Sequence, residues 1–414
     1  MKHFKHAELT ETYHVSLKTV HNWIDAAKLG KVDLALQKTA TRTYIADTPH
    51  NAMVLERLSE QGKKFRNTLH HQVIRPRPEL YDIFSRRQIL DIITNLKVHH
   101  EIPRQYNYFE EGATNWHNWL ERLAEEEAPN ILKGSVELLR ANLGTLDRLL
   151  EGATRVNVID LGVGNAYPVK ELLGHLVDKE MLHRYIAIDI SPSMLSVAQQ
   201  NVHKWYGNKV KFEGHIRDIS HEHFDDLLVD DMLQEEAEQT INLVLLLGAT
   251  PVNFRAFEDV FKAVHSSLGG NDLLVYTDKP DTEASRRYFD FNSASSQASS
   301  KLSPNHKYML DLLNIDESLY DGEMGYDTVQ RMRYIRARLK RSITLKFDFG
   351  DTTRTVNIEK GETILLLRIW HMTALELISE FERVGFTLIQ SSLTKDRQYF
   401  LSISGVEIDQ TRQH

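Results

Sequence analysis

One stretch constrains the fold more than any other: Val156-Asn-Val-Ile-Asp-Leu-Gly-Val-Gly-Asn165. Val156 to Ile159 are mostly β-branched and apolar and predict a short buried strand. Asp160 stands at its carboxyl end, and Gly162 and Gly164 follow at once. Helical spacing then begins at Tyr167 and runs through Val169, Leu172, Leu173, Leu176 and Val177. A strand, a glycine turn and a helix in this order let backbone approach a ligand closely, at the carboxyl end of a sheet strand. About 20 residues later, Tyr185-Ile-Ala-Ile-Asp-Ile-Ser191 predicts a second strand, ending in Asp189, an acid placed to accept ribose hydroxyls. A third acid, Asp218, closes Val210-Lys-Phe-Glu-Gly-His-Ile-Arg-Asp218. Any one of these aspartates is equally a turn or helix cap. Their ordered recurrence favours a ligand site.

The same pattern continues to Asp278. Phe224 to Glu238 reads as an acidic helix, and Ile241 to Leu247 as a buried strand. Gly248-Ala-Thr-Pro-Val-Asn-Phe254 follows, then a helix from Phe257 to Leu268 and a strand from Asp272 to Asp278. This is a doubly wound α/β region. At 414 residues the chain is long enough for two or three domains. It has no cysteine, which excludes disulfides and thiolate metal sites and fits a cytoplasmic location. Its start lacks the apolar core of a signal peptide, and no long apolar run predicts a membrane span. His221-Glu-His223, His70-His71 and His99-His100 lack helical ligand spacing, so no metal centre is expected.

The net charge of −8 carries no polyanion-binding signature for the whole chain. It is unevenly spread: up to Arg75 there are 12 Lys and Arg against 7 Asp and Glu, or +5, leaving −13 for the rest. A separate N-terminal module, residues 1–70, is therefore expected. Within it, Ala7 to Ile24 predicts two short helices joined at His14-Val-Ser16, with Ser16 capping the second. Leu17, Val20 and Ile24 form the apolar stripe of that second helix, and Lys18, Thr19, His21 and Asn22 point outward. A strand-like Arg42-Thr-Tyr-Ile45 and a capped helix over Asp47 to Leu58 follow. Residues 63–78 read as a linker and Tyr81 to Ile93 as a helix, so that 71–94 connects the module to the remainder.

Ile102 to Trp116 is aromatic and polar together; Trp116 and Trp119 are expected to pack, and Tyr106 and Tyr108 to line a pocket. The segment from there to Leu150 reads as helical. Past Asp278, Ser293 to Ser300 is serine-rich, and Tyr308 to Leu313 and Asp327 to Leu339 read as helices. Ile343 to Phe349 and Arg354 to Ile358 alternate at period two around Gly350-Asp351, a hairpin signal. A helix over Thr373 to Val384 and strands near Leu388 and Phe400 complete the chain. The expected architecture is a doubly wound core over about 150–280, with an α+β substrate part over about 95–149 and 281–405 interleaved with it.

Two families are resembled. Val15-Ser-Leu-Lys-Thr-Val-His-Asn-Trp-Ile24 with Arg42 to Ile45 is similar to the helix-turn-helix of the MerR and excisionase type. That resemblance implies that Lys18, Thr19, His21 and Asn22 approach DNA. Residues 95–405 resemble the S-adenosylmethionine-dependent, histidine-specific methyltransferases of the ergothioneine route, which implies a Rossmann-like methyltransferase core and S-adenosylmethionine as cofactor. The resemblance implies cofactor contacts at Asp160, Gly162, Gly164, Asn165, Asp189, Ser191, Asp218 and Ile219. It implies substrate contacts at Tyr108, Gly248, Thr250 and Asn253, with Tyr288 and Asn292 as further matches. Asn253 would hold the amino and carboxylate groups of the substrate.

The departures bear on substrate choice. Where the family grips imidazole with a glutamate and a serine after a Gly-Glu turn, Leu367 and Ile369 stand after Gly361-Glu362. Its Tyr-Tyr-Pro-Thr-Arg element is replaced by Glu127-Ala-Pro-Asn130, and Pro168 takes the place of a cofactor-loop lysine, with Lys170 nearest. A site built to hydrogen-bond a group discriminates by about four to five powers of ten, so this loss argues against free histidine. Tyr108, Asn253 and Asp278 are the candidate catalytic groups by position. Two readings follow: a methyltransferase acting on an amino group of an amino acid or related small molecule, and a DNA-binding regulator whose methyltransferase-like domain senses a ligand. A nicotinamide site is third, since Tyr167-Pro168 replaces the further loop glycine.

Overall fold

The computed structural model describes residues 3–39, 42–69, 71–229, 240–248, 250–282 and 301–406. The chain divides into two compact units: Met1–Val73 with Ser342–Thr344, and Ile74–Arg341 with Leu345–His414.

The first unit holds two short helices, His6–Thr12 and Leu17–Lys28. The Ser16 hydroxyl caps the second by accepting from the Thr19 N–H at 3.2 Å. Strands β1 (Leu36–Lys38) and β2 (Thr43–Ile45) pair antiparallel, and a helix runs over Pro49–Leu69. The core contains Leu9, Val20, Trp23, Ile24, Ile45 and Leu55. The expected apolar stripe is corrected at one position: Leu17 is 51% exposed, and Trp23 takes its place inside. Leu17 is the first residue of the helix, whereas Trp23, three residues after Val20, packs with Val20 and Ile24 in the same core. Residues 63–69, expected as linker, continue the third helix instead.

Strand β3 (Gln72–Ile74) leads into two helices, Pro78–Ile83 and Arg86–His99. The single helix expected over Tyr81 to Ile93 is broken because Ser85 and Gln88 form a capping box that starts a new helix. The helices Glu111–Glu125 and Ile131–Leu149 then precede β4 (Arg155–Leu161). The sheet strands that follow are β5 (Leu182–Asp189), β6 (Phe212–Ile216), β7 (Thr240–Leu246) and β8 (Leu273–Asp278). All four neighbouring pairs in the order β6-β5-β4-β7-β8 are parallel. β4 is buried on both faces, which is why its sequence runs apolar instead of alternating. Val156, Val158, Tyr185 and Ala187 face helices Ile131–Leu149, Lys170–Asp178 and Pro192–Tyr206. Ile159, Leu161, Ile186 and Ile188 face Phe257–Ser266 and Ala374–Val384. The helix expected from Tyr167 begins at Lys170.

Between β8 and the last helix lie β9 (Tyr320–Asp327), β10 (Met332–Leu339), the hairpin neighbours β11 (Ile343–Asp348) and β12 (Thr353–Ile358), and β13 (Thr363–Trp370). β10 pairs antiparallel with both β9 and β13, so the helix expected over Asp327 to Leu339 is corrected to strand. Its arginines at 333, 336 and 338 favour helix in isolation. In the sheet the chain buries Met332, Ile335, Ala337 and Leu339 and leaves Arg336 and Arg338 half-exposed beside Glu323. The last strands, β14 (Phe386–Leu393) and β15 (Phe400–Val406), do not cover the core; they extend it. β15 pairs antiparallel with β8, and β14 with β15. The core sheet therefore has seven strands in the order β14-β15-β8-β7-β4-β5-β6. Among the described residues, no helix is long and apolar enough to cross a membrane.

Candidate active site

The strand order reverses between β4 and β7, so the connections after them lead to helices on opposite faces and leave the crevice in which such sheets bind ligands. Gly162 and Gly164 have φ of +68° and +54°, which L side chains rarely adopt, and so allow the tight loop after β4. Asp189 pins this loop: its Oδ2 accepts from the Gly164 N–H at 3.3 Å and its Oδ1 from the Ser191 N–H at 3.0 Å. Ser191 in turn caps the helix Pro192–Tyr206. Asn165 closes the turn by accepting from the Tyr167 N–H, and its carbonyl accepts from the Asn201 amide.

Burial pushes the Asp160 carboxyl up to about 7; the Tyr185 hydroxyl, donating at 2.8 Å, opposes that rise, and the charge of Asp189 adds to it. Burial pushes Asp189 up to about 6, against the N–H groups of Ser191, Gly164 and Ile190. Both carboxyls therefore titrate near neutral pH, and a cation placed beside them would draw them toward the ionised form. A Cβ placed on Gly162 would lie 3.5–3.7 Å from Thr250 and Ile219, so the loops after β4, β6 and β7 converge there.

Beside this point opens a polar cavity of about 640 Å³. Asp218 and Asn253, both expected from the sequence, line it. Tyr106 lines it as well, its hydroxyl donating to Asp91 at 2.9 Å. Tyr108 does not line it; its ring packs on Trp116 at 5.2 Å, and its hydroxyl accepts from Arg104. The 3-10 turn over Arg104–Tyr108 is the cause, since it sends residues two apart to different sides. Trp116 and Trp119 pack at 4.5 Å as expected. Asp278 is buried outside the cavity, its carboxyl pushed up to about 7 by burial against the Lys279 N–H. Gly248, at φ +81°, donates its N–H to the Thr277 hydroxyl at 3.0 Å. Leu367 and Ile369 stand half-buried on β13 and do not line the cavity. Tyr288 and Asn292 lie outside the described residues, as does most of the acidic stretch before Glu238.

The sequence reading missed a charged cluster on the cavity wall. Glu101 Oε2 accepts from Arg368 at 2.6 Å and also from Arg255. Glu101 and Arg368 are 7% exposed each. Arg255 directly follows Asn253-Phe254, which was the one available signal; the Glu101–Arg368 pair spans 267 residues and leaves no local trace. Among the described residues, no group of three or more His, Asp or Glu is placed to hold a metal ion.

The loop chemistry fits S-adenosylmethionine. The two Asp189 oxygens accept backbone N–H groups of the loop, and a carboxylate has about four acceptor directions, which leaves capacity for a ribose hydroxyl. Comparison with solved structures finds an S-adenosylmethionine-dependent methyltransferase from Clostridium acetobutylicum ATCC 824, at 12% identity and TM-score 0.39, covering 70% of this chain and 99% of that one. It also finds the CcbJ methyltransferase from Streptomyces caelestis, at 10% identity and TM-score 0.33, covering 68% and 94%. The DhpI-SAM-HEP complex matches at 15% identity and TM-score 0.35, covering 74% and 98%. Comparison with curated proteins finds no match. A family model described as histidine-specific methyltransferase, SAM-dependent, matches residues 86–404. Over three quarters of its length, this chain belongs to the histidine-specific, S-adenosylmethionine-dependent methyltransferases.

Proposed function

We propose that this enzyme methylates an amino group of an amino acid or a related small molecule. The observation that carries this reading is the cavity in which Asn253, from the loop after β7, and Asp218, from the end of β6, line one polar space beside the glycine loop. When bound, S-adenosylmethionine supplies an electrophilic methyl group on a sulfonium. Asp160, Gly162, Gly164, Asn165, Asp189, Ser191, Asp218 and Ile219 are the residues assigned to hold it. Gly248, Thr250 and Asn253 are assigned to the acceptor. The Asn253 amide already donates to the Thr250 carbonyl at 3.3 Å, which orients it, and its oxygen is suited to accept from an amine. Positioning of this kind can account for roughly 7–11 kcal/mol of barrier. The amine must lose its proton before reaction, and the half-closed polar cavity favours the neutral form less than a dry one would. Free histidine is a poor candidate, since Leu367 and Ile369 offer no hydrogen bond to imidazole.

Isothermal titration with S-adenosylmethionine and S-adenosylhomocysteine, followed by mass spectrometry of candidate amines for a one-methyl gain, tests this. Failure to bind either cofactor form removes the reading.

A pH dependence follows from the two acids. Cation binding favours their ionised forms, which are lost as pH falls through about 7 for Asp160 and about 6 for Asp189. Affinity for S-adenosylmethionine is therefore expected to fall between about pH 8.5 and about pH 5.5. The sign in the ligand-free protein is opposite. Raised acid pKa values mean the folded state binds more protons than the unfolded one between about 4 and about 7, so these groups favour folding as pH drops. A flat affinity profile across that range contradicts the assignment of Asp160 and Asp189 to the cofactor.

A DNA-binding role for the N-terminal unit is favoured by one observation: Lys18, His21 and Asn22 are exposed on the helix Leu17–Lys28, and Thr19 is half-exposed beside them. Binding would be weak and salt-sensitive, since few phosphate-contacting cations share that face. A mobility-shift assay on DNA flanking the coding sequence tests it. No salt-sensitive, sequence-specific complex would leave the unit as a packing domain.

A further inference from the structure

Arg104 follows Glu101 by three residues and opens the 3-10 turn Arg104–Tyr108. It is 7% exposed and lines the cavity. Its Nε donates to the Tyr108 hydroxyl at 3.3 Å, and its Nη1 to the Asn305 carbonyl at 3.2 Å. Its guanidinium lies 5.3 Å and 5.6 Å from the ring centroids of Tyr108 and Trp116. All of these partners are neutral. A guanidinium has five N–H donors, and a buried one without an anion is unfavourable even when ring faces offset part of the penalty.

The adjacent carboxylate does not pair with it. Glu101 Oε2 already accepts from Arg255 and Arg368. Among the described residues, the lining carries Arg87, Arg104, Arg217 and Arg255 beside Asp91, Glu101, Asp218, Glu222 and Asp259, so it is the local setting of Arg104, not a net positive charge, that calls for an anion. The other acids of the lining are engaged: Asp91 with the Tyr106 hydroxyl and the Asn95 amide, Asp218 with Ser220, and Asp259 with Lys262. Glu222 accepts from the Asp218 N–H. The charge of Arg104 is felt nearby. Burial first, then the charges of Arg104 and Arg333, hold the His306 imidazole down to about 3, so it stays neutral at pH 7 and adds no compensation.

We propose that the methyl acceptor is an acidic amino compound whose second oxyanion, a carboxylate or a phosphate, binds Arg104 and the cavity face of Arg255. This rests on the methyl-transfer reading and narrows it. Guanidinium groups bind both oxyanions through paired N–H donors. A neutral isostere leaves the buried Arg104 charge unanswered and is rejected for that reason. Arg255, with a side chain 42% exposed, can turn part of its donor set to a ligand while staying near Glu101.

The test is calorimetric binding to the full-length protein saturated with S-adenosylhomocysteine. L-glutamate is compared with L-glutamine, L-aspartate with L-asparagine, and O-phospho-L-serine with L-serine. At least one acidic member is expected to bind about tenfold or more tighter than its neutral partner, and the stronger acid class identifies carboxylate or phosphate. R104K and R255Q are expected to reduce that preference about tenfold in one or both cases while leaving S-adenosylhomocysteine binding intact, which also shows that the variants fold. The proposal is overturned if neutral members bind as tightly as acidic ones, if no acidic member binds, or if both variants keep the full preference. Absence of S-adenosylhomocysteine binding to the unaltered protein would remove the methyl-transfer reading and this proposal with it. Cofactor binding without acid preference removes this proposal alone.

Discussion

Asp189→Ala is expected to weaken S-adenosylmethionine binding by about 100-fold or more, close to 3 kcal/mol. The carboxylate has two tasks. It accepts the Gly164 and Ser191 N–H groups, and hydrogen bonds to a charged group contribute about 1.5–3 kcal/mol each. Alanine leaves both donors without that acceptor, frees the loop between β4 and its helix, and removes the proposed ribose partner. Asp189→Asn keeps one strong acceptor oxygen and should fall between, at roughly tenfold. Titration calorimetry of both variants, with circular dichroism to verify folding, reads the result. An alanine variant within about threefold of the unaltered protein would show that Asp189 serves the loop only and that the cofactor sits elsewhere.

The second large effect concerns stability. Glu101→Ala strands Arg368, whose side chain is 7% exposed and cannot reach water, whereas Arg255, 42% exposed, can. Breaking one partner of a buried ion pair typically destabilises by about 3–5 kcal/mol because the remaining charge stays buried. Most of that loss should vanish in the double variant Glu101→Gln with Arg368→Met, where no uncompensated charge is left. Arg255→Gln alone should cost under about 1 kcal/mol, as exposed pairs do. Urea unfolding at an unchanged slope measures all three. Equal losses for Glu101→Ala and Arg255→Gln would show that the cluster is solvated, and would remove the argument from burial.

The glycine loop and the acids at its strand ends were legible because each part is local. A β-branched run makes β4, glycines at 162 and 164 permit the positive-φ turn, and an acid ends β4 and β5. Those preferences act within a few residues of chain, so periodicity and turn chemistry report them. Local preference also misled: the arginine-rich Met332–Leu339 reads as helix until β9 and β13 flank it and its alternate residues go inward. The sequence by itself thus determined a doubly wound core with a glycine loop and ordered acids. Only the tertiary structure decided that β14 and β15 complete that sheet, that Tyr106 and not Tyr108 faces the cavity, and that Glu101 meets Arg255 and Arg368. These depend on contacts between segments far apart in the chain, where burial and charge pairing select the partner and no spacing in the sequence records the choice.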